Sequence, residues 1–345
     1  MKPVISIIVP VYNMASDNKL TFCLDSLINQ TIDDYEIIAV DDASTDNSLE
    51  ILKEYKEKYP DKFSYIESPV NTHQGGAKNK GIKAAKGDWI GFIDSDDWIS
   101  PNYYETMLNK AEETGADMVG CDFSLVSEHS FEVGTIQANG REDQSGVLDT
   151  AKKRSLVLDG GSLCVKIYRR ERIINDGLWF PENIFYEDNA VGNSYLVMAN
   201  HYEYMKLPMY YYYQHSTSTV HTVDMKRCED RMQASRLMLK EAIKRGYYDE
   251  VKEELDYKFI ILFYLNTVFS YVRGTSFPKL SFVKKIGREF IETLPDYENN
   301  KYFKERINEE EKKMIKLQLK NTCGFVIYYK MLWAYRKLRY GKEAN

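Results

Sequence analysis

The first half of the chain alternates two hydrophobic rhythms. Ile5 to Val11 is a β-branched run interrupted only by Ser6 and Pro10, as expected of a strand buried on both faces. In Leu20 to Ile28, the residues Leu20, Leu24, Leu27 and Ile28 share one helical stripe. Tyr35 to Val40 predicts a second strand ending at Asp41-Asp42. Ser44 ahead of Asp46-Asn47 marks a helix start, continued by Leu49, Leu52 and Tyr55. Phe63 to Ile66 predicts a short strand, Gly75 to Ala85 a helix, and Trp89 to Ile93 a strand running into Asp94-Ser95-Asp96-Asp97. Pro101 opens another helix, and Asp117 to Phe123 gives another strand. Strands alternating with helices predict an α/β fold with a mainly parallel sheet and flanking helices. Such sheets bind ligands beyond the carboxyl ends of their strands. Asn13, Asp41-Asp42 and Asp94 to Asp97 all fall at such ends and are expected to face one crevice.

From about Lys226 the pattern changes to long helical periods rich in Lys, Glu and Tyr. This predicts an α/β domain over 1–222 and a helical region over 223–345, with loops at Gly274 to Pro278 and Pro295 to Asn300. Phe259 to Val272 is the longest apolar run. It is too short to span a bilayer and contains Asn266, Thr267 and Ser270, so it reads as a buried helix.

Composition narrows the function classes. The chain has 345 residues and a net charge of -6, which disfavours non-specific nucleic-acid binding. Its five cysteines (Cys23, Cys121, Cys164, Cys228, Cys323) are widely spaced and form no Cys-X-X-Cys pair, so neither a disulfide framework nor a thiolate zinc site is indicated. No secretory pattern follows Met1, and a reducing cytoplasm is the expected location.

The chemistry starts from Asp94-Ser95-Asp96. Two carboxylates at the exposed end of a hydrophobic strand suit a hard divalent cation, although the triplet alone would equally serve as a solvated turn or cap. It does not stand alone. Val9-Pro10-Val11-Tyr12-Asn13, Val40-Asp41-Asp42-Ala43-Ser44-Thr45-Asp46, Ala77-Lys78-Asn79-Lys80-Gly81 and Phe92-Ile93-Asp94-Ser95-Asp96-Asp97 occur in that order. Together they resemble the signature of family 2 glycosyltransferases of bacterial polysaccharide type, inverting enzymes with the GT-A fold. The resemblance covers roughly the first two-thirds of the chain.

The resemblance implies a transfer of a hexosyl or N-acetylhexosaminyl group. The donor would be a nucleotide-diphosphate sugar, with a UDP-sugar favoured, and the acceptor a saccharide or lipid-linked saccharide hydroxyl. Pro10, Tyr12 and Asn13 would line the nucleotide pocket, with Tyr12 stacking on the base. Asp42 would accept from the base and Asp41 would shape the pocket. Lys78 stands where the family usually has Arg and would neutralise diphosphate or bond the base, with Asn79 and Gly81 keeping backbone near the nucleotide. Asp94 and Ser95 would belong to the same nucleotide site, with Asp94 contacting ribose or metal. Asp96, with Asp94, would hold Mn2+ or Mg2+, and Asp97 would stand behind them. In Phe185-Tyr186-Glu187-Asp188, Asp188 would be the general base and Glu187 would orient a partner. The same pair also suits the start of a helix. His215 would bind metal or diphosphate, or be an ordinary surface histidine; His73 and Gln74 are similarly ambiguous. Lys166 would line the donor or acceptor side, or be a solvated strand residue. Ala43 replaces a common Gly.

Other classes fit less well. A sugar-1-phosphate nucleotidyltransferase needs a Gly-rich phosphate loop after the first strand and a dehydrogenase needs Gly-X-Gly-X-X-Gly there; the chain has Tyr12-Asn13-Met14. A non-catalytic nucleotide-sugar-binding protein would have no need of a base at Asp188. The segment 321–341 carries Lys330, Arg336, Lys337 and Arg339 without an acidic residue, interleaved with Phe325, Tyr328, Tyr329, Trp333, Tyr335 and Tyr340. It reads either as a packed terminal helix or as a peripheral contact with the inner face of the cell membrane.

Overall fold

The computed structural model describes residues 2–215 and 223–340. Residue 222, where the sequence suggests a division, and residue 341 at the end of the basic segment lie outside the described residues. On either side of 216–222 the chain forms two compact units.

The first unit is built on ten strands: β1 (Ile5–Val11), β2 (Tyr35–Asp41), β3 (Phe63–Glu67), β4 (Trp89–Phe92), β5 (Trp98–Ile99), β6 (Met118–Val126), β7 (Thr135–Gln137), β8 (Gly146–Val147), β9 (Lys166–Arg169) and β10 (His201–Tyr213). They form one mixed sheet in the order β3-β2-β1-β4-β9-β6-β10-β5, with β7 beside β6 and β8 beside β10. Pairing is parallel across β3-β2-β1-β4 and between β6 and β10. β9 is antiparallel to both neighbours and joins these two blocks. Helices α1 (Lys19–Ile28), α2 (Ser48–Lys58), α3 (His73–Ala84), α4 (Tyr103–Thr114), α5 (Thr150–Asp159), α6 (Arg170–Asn175) and α7 (Glu187–Val197) complete the unit.

Register places the chemistry. Every residue of β1 is buried, and its pairing with β2 runs from Ile5 opposite Tyr35 to Val11 opposite Asp41. The loops carrying Asn13 and Asp42 therefore leave the sheet side by side. Ile8 pairs with Phe92 of β4, so the Asp94–Asp97 turn leaves from the same edge. α3 reaches this edge because Gly81 has no side chain: a Cβ there would meet Ile8 Cγ2 at 2.4 Å. Gly81 thus seats α3 on β1. In β10 the register with β6 shifts on both sides of Pro208, which has no N–H for the ladder.

The second unit is helical: α8 (Met225–Lys244), α9 (Lys252–Phe259), α10 (Asn266–Gly274), α11 (Leu280–Thr293), α12 (Lys301–Arg306), α13 (Glu309–Lys320) and α14 (Thr322–Tyr340). A π-helical turn over 260–265 joins α9 to α10. The run Phe259 to Val272 is at the core of this unit: Phe259, Ile260, Phe263 and Val268 are buried, as are Val283, Ile286 and Phe290 of α11, and Tyr264 stacks on Phe290. Side-chain caps start helices in this unit: Asp224 accepts from Arg227 N–H, and Asn308 and Glu311 form a reciprocal capping box. Among the described residues, no helix is long and apolar enough to cross a membrane.

Candidate active site

The loops after β1 and β2 are stitched together by side chains from the Asp42 segment. Ser44 Oγ accepts Asn13 N–H at 3.0 Å, Ser48 Oγ accepts Met14 N–H at 2.8 Å, and Asp46 accepts Ala15 N–H at 3.0 Å. Asn13 adopts φ +54° and its Oδ1 accepts Thr45 N–H at 2.7 Å. Ala43 has φ +62°, a left-handed conformation that glycine adopts without strain, which accounts for the usual residue at this position. Tyr12 projects outward with 46% of its surface exposed, so its ring is accessible for stacking. Pro10 is buried within β1 opposite Val40.

The two aspartates at the end of β2 are buried and differently engaged. Asp42 accepts from Thr72 N–H and Thr72 Oγ1, both at 2.8 Å, and its Oδ1 lies 3.5 Å from Lys80 Nζ. Lys80 also donates to Ser68 Oγ at 2.7 Å and Thr72 Oγ1 at 3.0 Å. Asp41 accepts Ser44 N–H at 3.2 Å through Oδ2, while its buried Oδ1 has no protein partner. The Thr72–Lys80 clamp was not singled out from the sequence; the available signal was the second lysine of Ala77-Lys78-Asn79-Lys80-Gly81.

α3 connects this pocket to the start of α7. Lys78 is buried and donates to Glu187 Oε1 at 2.8 Å. Burial by itself would lower the Lys78 ammonium, but Glu187, helped by Asp94 and Asp188, outweighs it and holds the ammonium above the ordinary lysine range. Asn79 spends its amide on the segment ahead of α7, donating to Phe180 O at 2.9 Å and Glu182 Oε1 at 3.1 Å and accepting Phe180 N–H at 3.0 Å. Gly75 permits the close approach, since a Cβ there would meet Pro181 O at 2.1 Å. His73 packs its ring 4.5 Å from Phe185.

The Asp94–Asp97 turn carries four polar side chains with separate tasks. Asp94 accepts from Gln74 Nε2 at 3.2 Å, and Cys164 Sγ lies 3.7 Å from its Oδ2. Burial, with Asp96, Glu187 and Asp188 adding negative charge against the pull of Lys78, pushes its carboxyl up to about 6. Ser95 is buried. Asp96 Oδ2 lies 2.9 Å from His215 Nε2. Asp97 is buried, accepts from Tyr210 OH at 2.6 Å and Tyr213 N–H at 2.9 Å, and so ties the end of β10, two residues before His215, to the acidic turn. Asp188 is an exposed residue in the first turn of α7, with Asn189 N–H donating to its Oδ1 at 2.9 Å. Its dense surroundings and Glu187 push its carboxyl up; Lys78 and backbone N–H groups oppose this.

Asp94, Asp96, Lys78, Glu187 and Asp188 thus share one electrostatic site, although α7 lies nearly a hundred residues beyond the turn. Lys166 stands outside it: fully buried, it donates to the carbonyls of Gly160 at 2.6 Å and Ser162 at 2.8 Å. Among the described residues, no three His, Cys, Asp or Glu side chains form a complete metal cage. The donor set still suits Mn2+ or Mg2+, which take one or two carboxylates and complete their shell with phosphate oxygens and water. A cation there would offset the burial and the neighbouring carboxylates that together raise Asp94.

Residues 6–173 match the model of the family described as glycosyl transferase family 2. EpsH of Bacillus subtilis, whose own description as a glycosyltransferase is provisional, is 35% identical over 270 residues, spanning 75% of each chain. The Staphylococcus aureus poly(ribitol-phosphate) β-N-acetylglucosaminyltransferase TarS is 28% identical over 311 residues, spanning 84% of this chain and 50% of TarS. The crystal structure of TarS 1–349 with UDP-GlcNAc superposes with a TM-score of 0.66 at 22% identity, covering 99% of this chain and 93% of that one. A Pyrobaculum calidifontis mannosyltransferase in complex with GDP-Man and Mn2+ shares the fold at a TM-score of 0.51 and 13% identity, covering 99% of this chain and 89% of that one.

Proposed function

The chain belongs to glycosyl transferase family 2, and from that premise we propose that it is an inverting, divalent-metal-dependent enzyme. It moves a hexosyl or N-acetylhexosaminyl group from a UDP-sugar to a hydroxyl of a saccharide or lipid-linked saccharide. The observation that carries the proposal is that α3 touches both acidic elements, Gln74 Nε2 donating to Asp94 at 3.2 Å and Lys78 Nζ to Glu187, beside Asp188, at 2.8 Å. A carboxylate at the exposed start of α7 and a carboxylate turn at the sheet edge belong to one site. Binding alone would need only the second.

In this reading Tyr12 stacks on the base, while Asp42, fixed by Thr72 and Lys80, and Asp41, with its unpartnered buried oxygen, recognise its polar edge. Asp94 and Asp96 would hold the cation, and His215 orients the Asp96 carboxylate. When bound, Mn2+ or Mg2+ supplies Lewis-acid stabilisation to the departing diphosphate. Asp188 takes the proton of the acceptor hydroxyl as its oxygen bonds to the anomeric carbon and the bond from that carbon to the diphosphate breaks. Its raised affinity for protons makes it a stronger base towards that hydroxyl. The choice of a UDP-sugar is supported by the UDP-GlcNAc complex of TarS.

The deciding experiment is a transfer assay with UDP-, GDP- and dTDP-sugars in Mn2+ or Mg2+, with the product anomer read by NMR. UDP-sugar turnover with inverted configuration is expected. Retention of configuration, or full turnover in excess chelator, would refute the reading.

A further inference from the structure

The terminal helix α14 has two faces of different character. One is packed into the helical unit: Phe325 and Val326 are buried, Tyr329 stacks on Phe269 at 5.1 Å, and Arg273 lies 4.9 Å over the Trp333 ring. Lys330 donates to Thr275 O at 2.6 Å, and Arg336 pairs with Glu310 at 2.7 Å, which locks the helix in place along its length. The other face is apolar and open. Ile327, Tyr328, Met331, Tyr335 and Leu338 are 57%, 52%, 68%, 53% and 89% exposed. At about 100° per residue these five fall within one arc of roughly 100°, the width of an apolar face that ordinarily meets a core or an interface.

The charge around that face names its partner. α14 itself carries Lys330, Arg336, Lys337 and Arg339 and no Asp or Glu, in a chain whose net charge is -6. Lys337 and Arg339 are exposed and border the apolar arc on opposite sides. Two copies of α14 meeting face to face would oppose these cations with no acidic residue of α14 to receive them. An anionic lipid surface satisfies both features, because it takes the apolar arc into the acyl boundary and the bordering cations into the headgroups. Tyr328 and Tyr335 have the apolar body and polar tip that favour this depth.

We propose that the outer face of α14 is a docking surface for the anionic leaflet of a membrane, lying in the interface plane without crossing it. This is independent of which sugar is transferred and of whether Asp188 is the base.

The test is co-sedimentation of the full chain with phosphatidylglycerol–phosphatidylcholine vesicles and with pure phosphatidylcholine vesicles, at low and moderate salt. Removing α14 would expose the buried Phe325 site, so the variants are confined to outward residues. The wild type should bind the anionic vesicles, more weakly as salt rises, and bind phosphatidylcholine at least tenfold less. M331E/L338E should lower partitioning at least tenfold, and K337E/R339E should abolish the preference for anionic lipid, with the thermal midpoint and turnover on a soluble acceptor unchanged in both. Absence of binding to anionic vesicles, or equal binding by M331E/L338E, overturns the proposal. So does a concentration-dependent dimer in light scattering that M331E/L338E dissolves while vesicle binding stays absent; the occupant would then be a second copy.

Discussion

Lys78 and Glu187 form a buried ion pair of 2.8 Å that joins the middle of α3 to the first residue of α7, next to Asp188. Taking two charges out of water is costly, and removing one partner leaves the other uncompensated. E187A is therefore expected to lose about 3–5 kcal/mol of stability in denaturant unfolding. K78M/E187M, which removes both charges, should recover most of that loss. It should stay impaired in turnover, because Lys78 also faces Asp94 and Asp188. A double variant as unstable as the single one would show that packing, not charge, holds this junction.

Asp96 is expected to be necessary for metal-dependent activity and unnecessary for folding, since its side chain sits at the sheet edge and is partly exposed. D96A should melt within a few degrees of the wild type and show no Mn2+-dependent donor turnover. H215Q, which keeps a polar partner for Asp96 but changes its geometry, should raise the Mn2+ concentration at half-maximal rate. Unchanged metal titration in H215Q would remove His215 from the site.

D188N should cut turnover by roughly 10²–10⁴-fold while donor binding, measured by thermal shift, is largely kept. The pH profile gives a second readout. The base works only when deprotonated, and its carboxyl is pushed up by its dense surroundings and Glu187. The acid limb of kcat/KM should therefore lie above the ordinary aspartate range and activity should fall as pH drops through it. Lys78 pulls the other way, so K78Q should move that limb to higher pH and K78R should restore it. A limb that does not respond to residue 78 belongs to another group.

Ala43 holds φ +62°, which for a residue with a Cβ costs roughly 1–2 kcal/mol. Glycine relieves that strain and returns about 0.5–1 kcal/mol to the unfolded chain's entropy. A43G should therefore raise the thermal midpoint by roughly 2 °C with donor affinity intact. A lowered midpoint would mean that the Ala43 methyl contributes packing that outweighs its backbone.

Much of the catalytic unit was legible in the sequence because it is encoded locally. The apolar run of β1, broken only by Ser6 and Pro10, the stripe of α1 and the acidic residues closing β2 and β4 depend on neighbours a few positions away. Parallel strands then carry their carboxyl ends to one edge, so the meeting of Asn13, Asp42 and Asp94 follows from order alone. Other relationships are set by distance along the chain. Lys78 and Glu187 are 109 residues apart, and His215 and Asp96 are 119 apart. Lys78 reaches Glu187 because bare Gly75 and the Asn79 amide dock α3 on the segment before α7, and His215 reaches Asp96 because Asp97 ties the end of β10 to the acidic turn. Periodicity does not report either event. Asn79 illustrates the same limit: its motif points to the nucleotide, while the tertiary structure spends its amide on the segment before α7. In α14 the sequence supplied cations and aromatic residues without saying which faced the core. Packing against α10 took Phe325, Tyr329 and Trp333 inward and left Ile327, Met331 and Leu338 outside. A helix repeat defines faces, but only a neighbour decides which of them is buried.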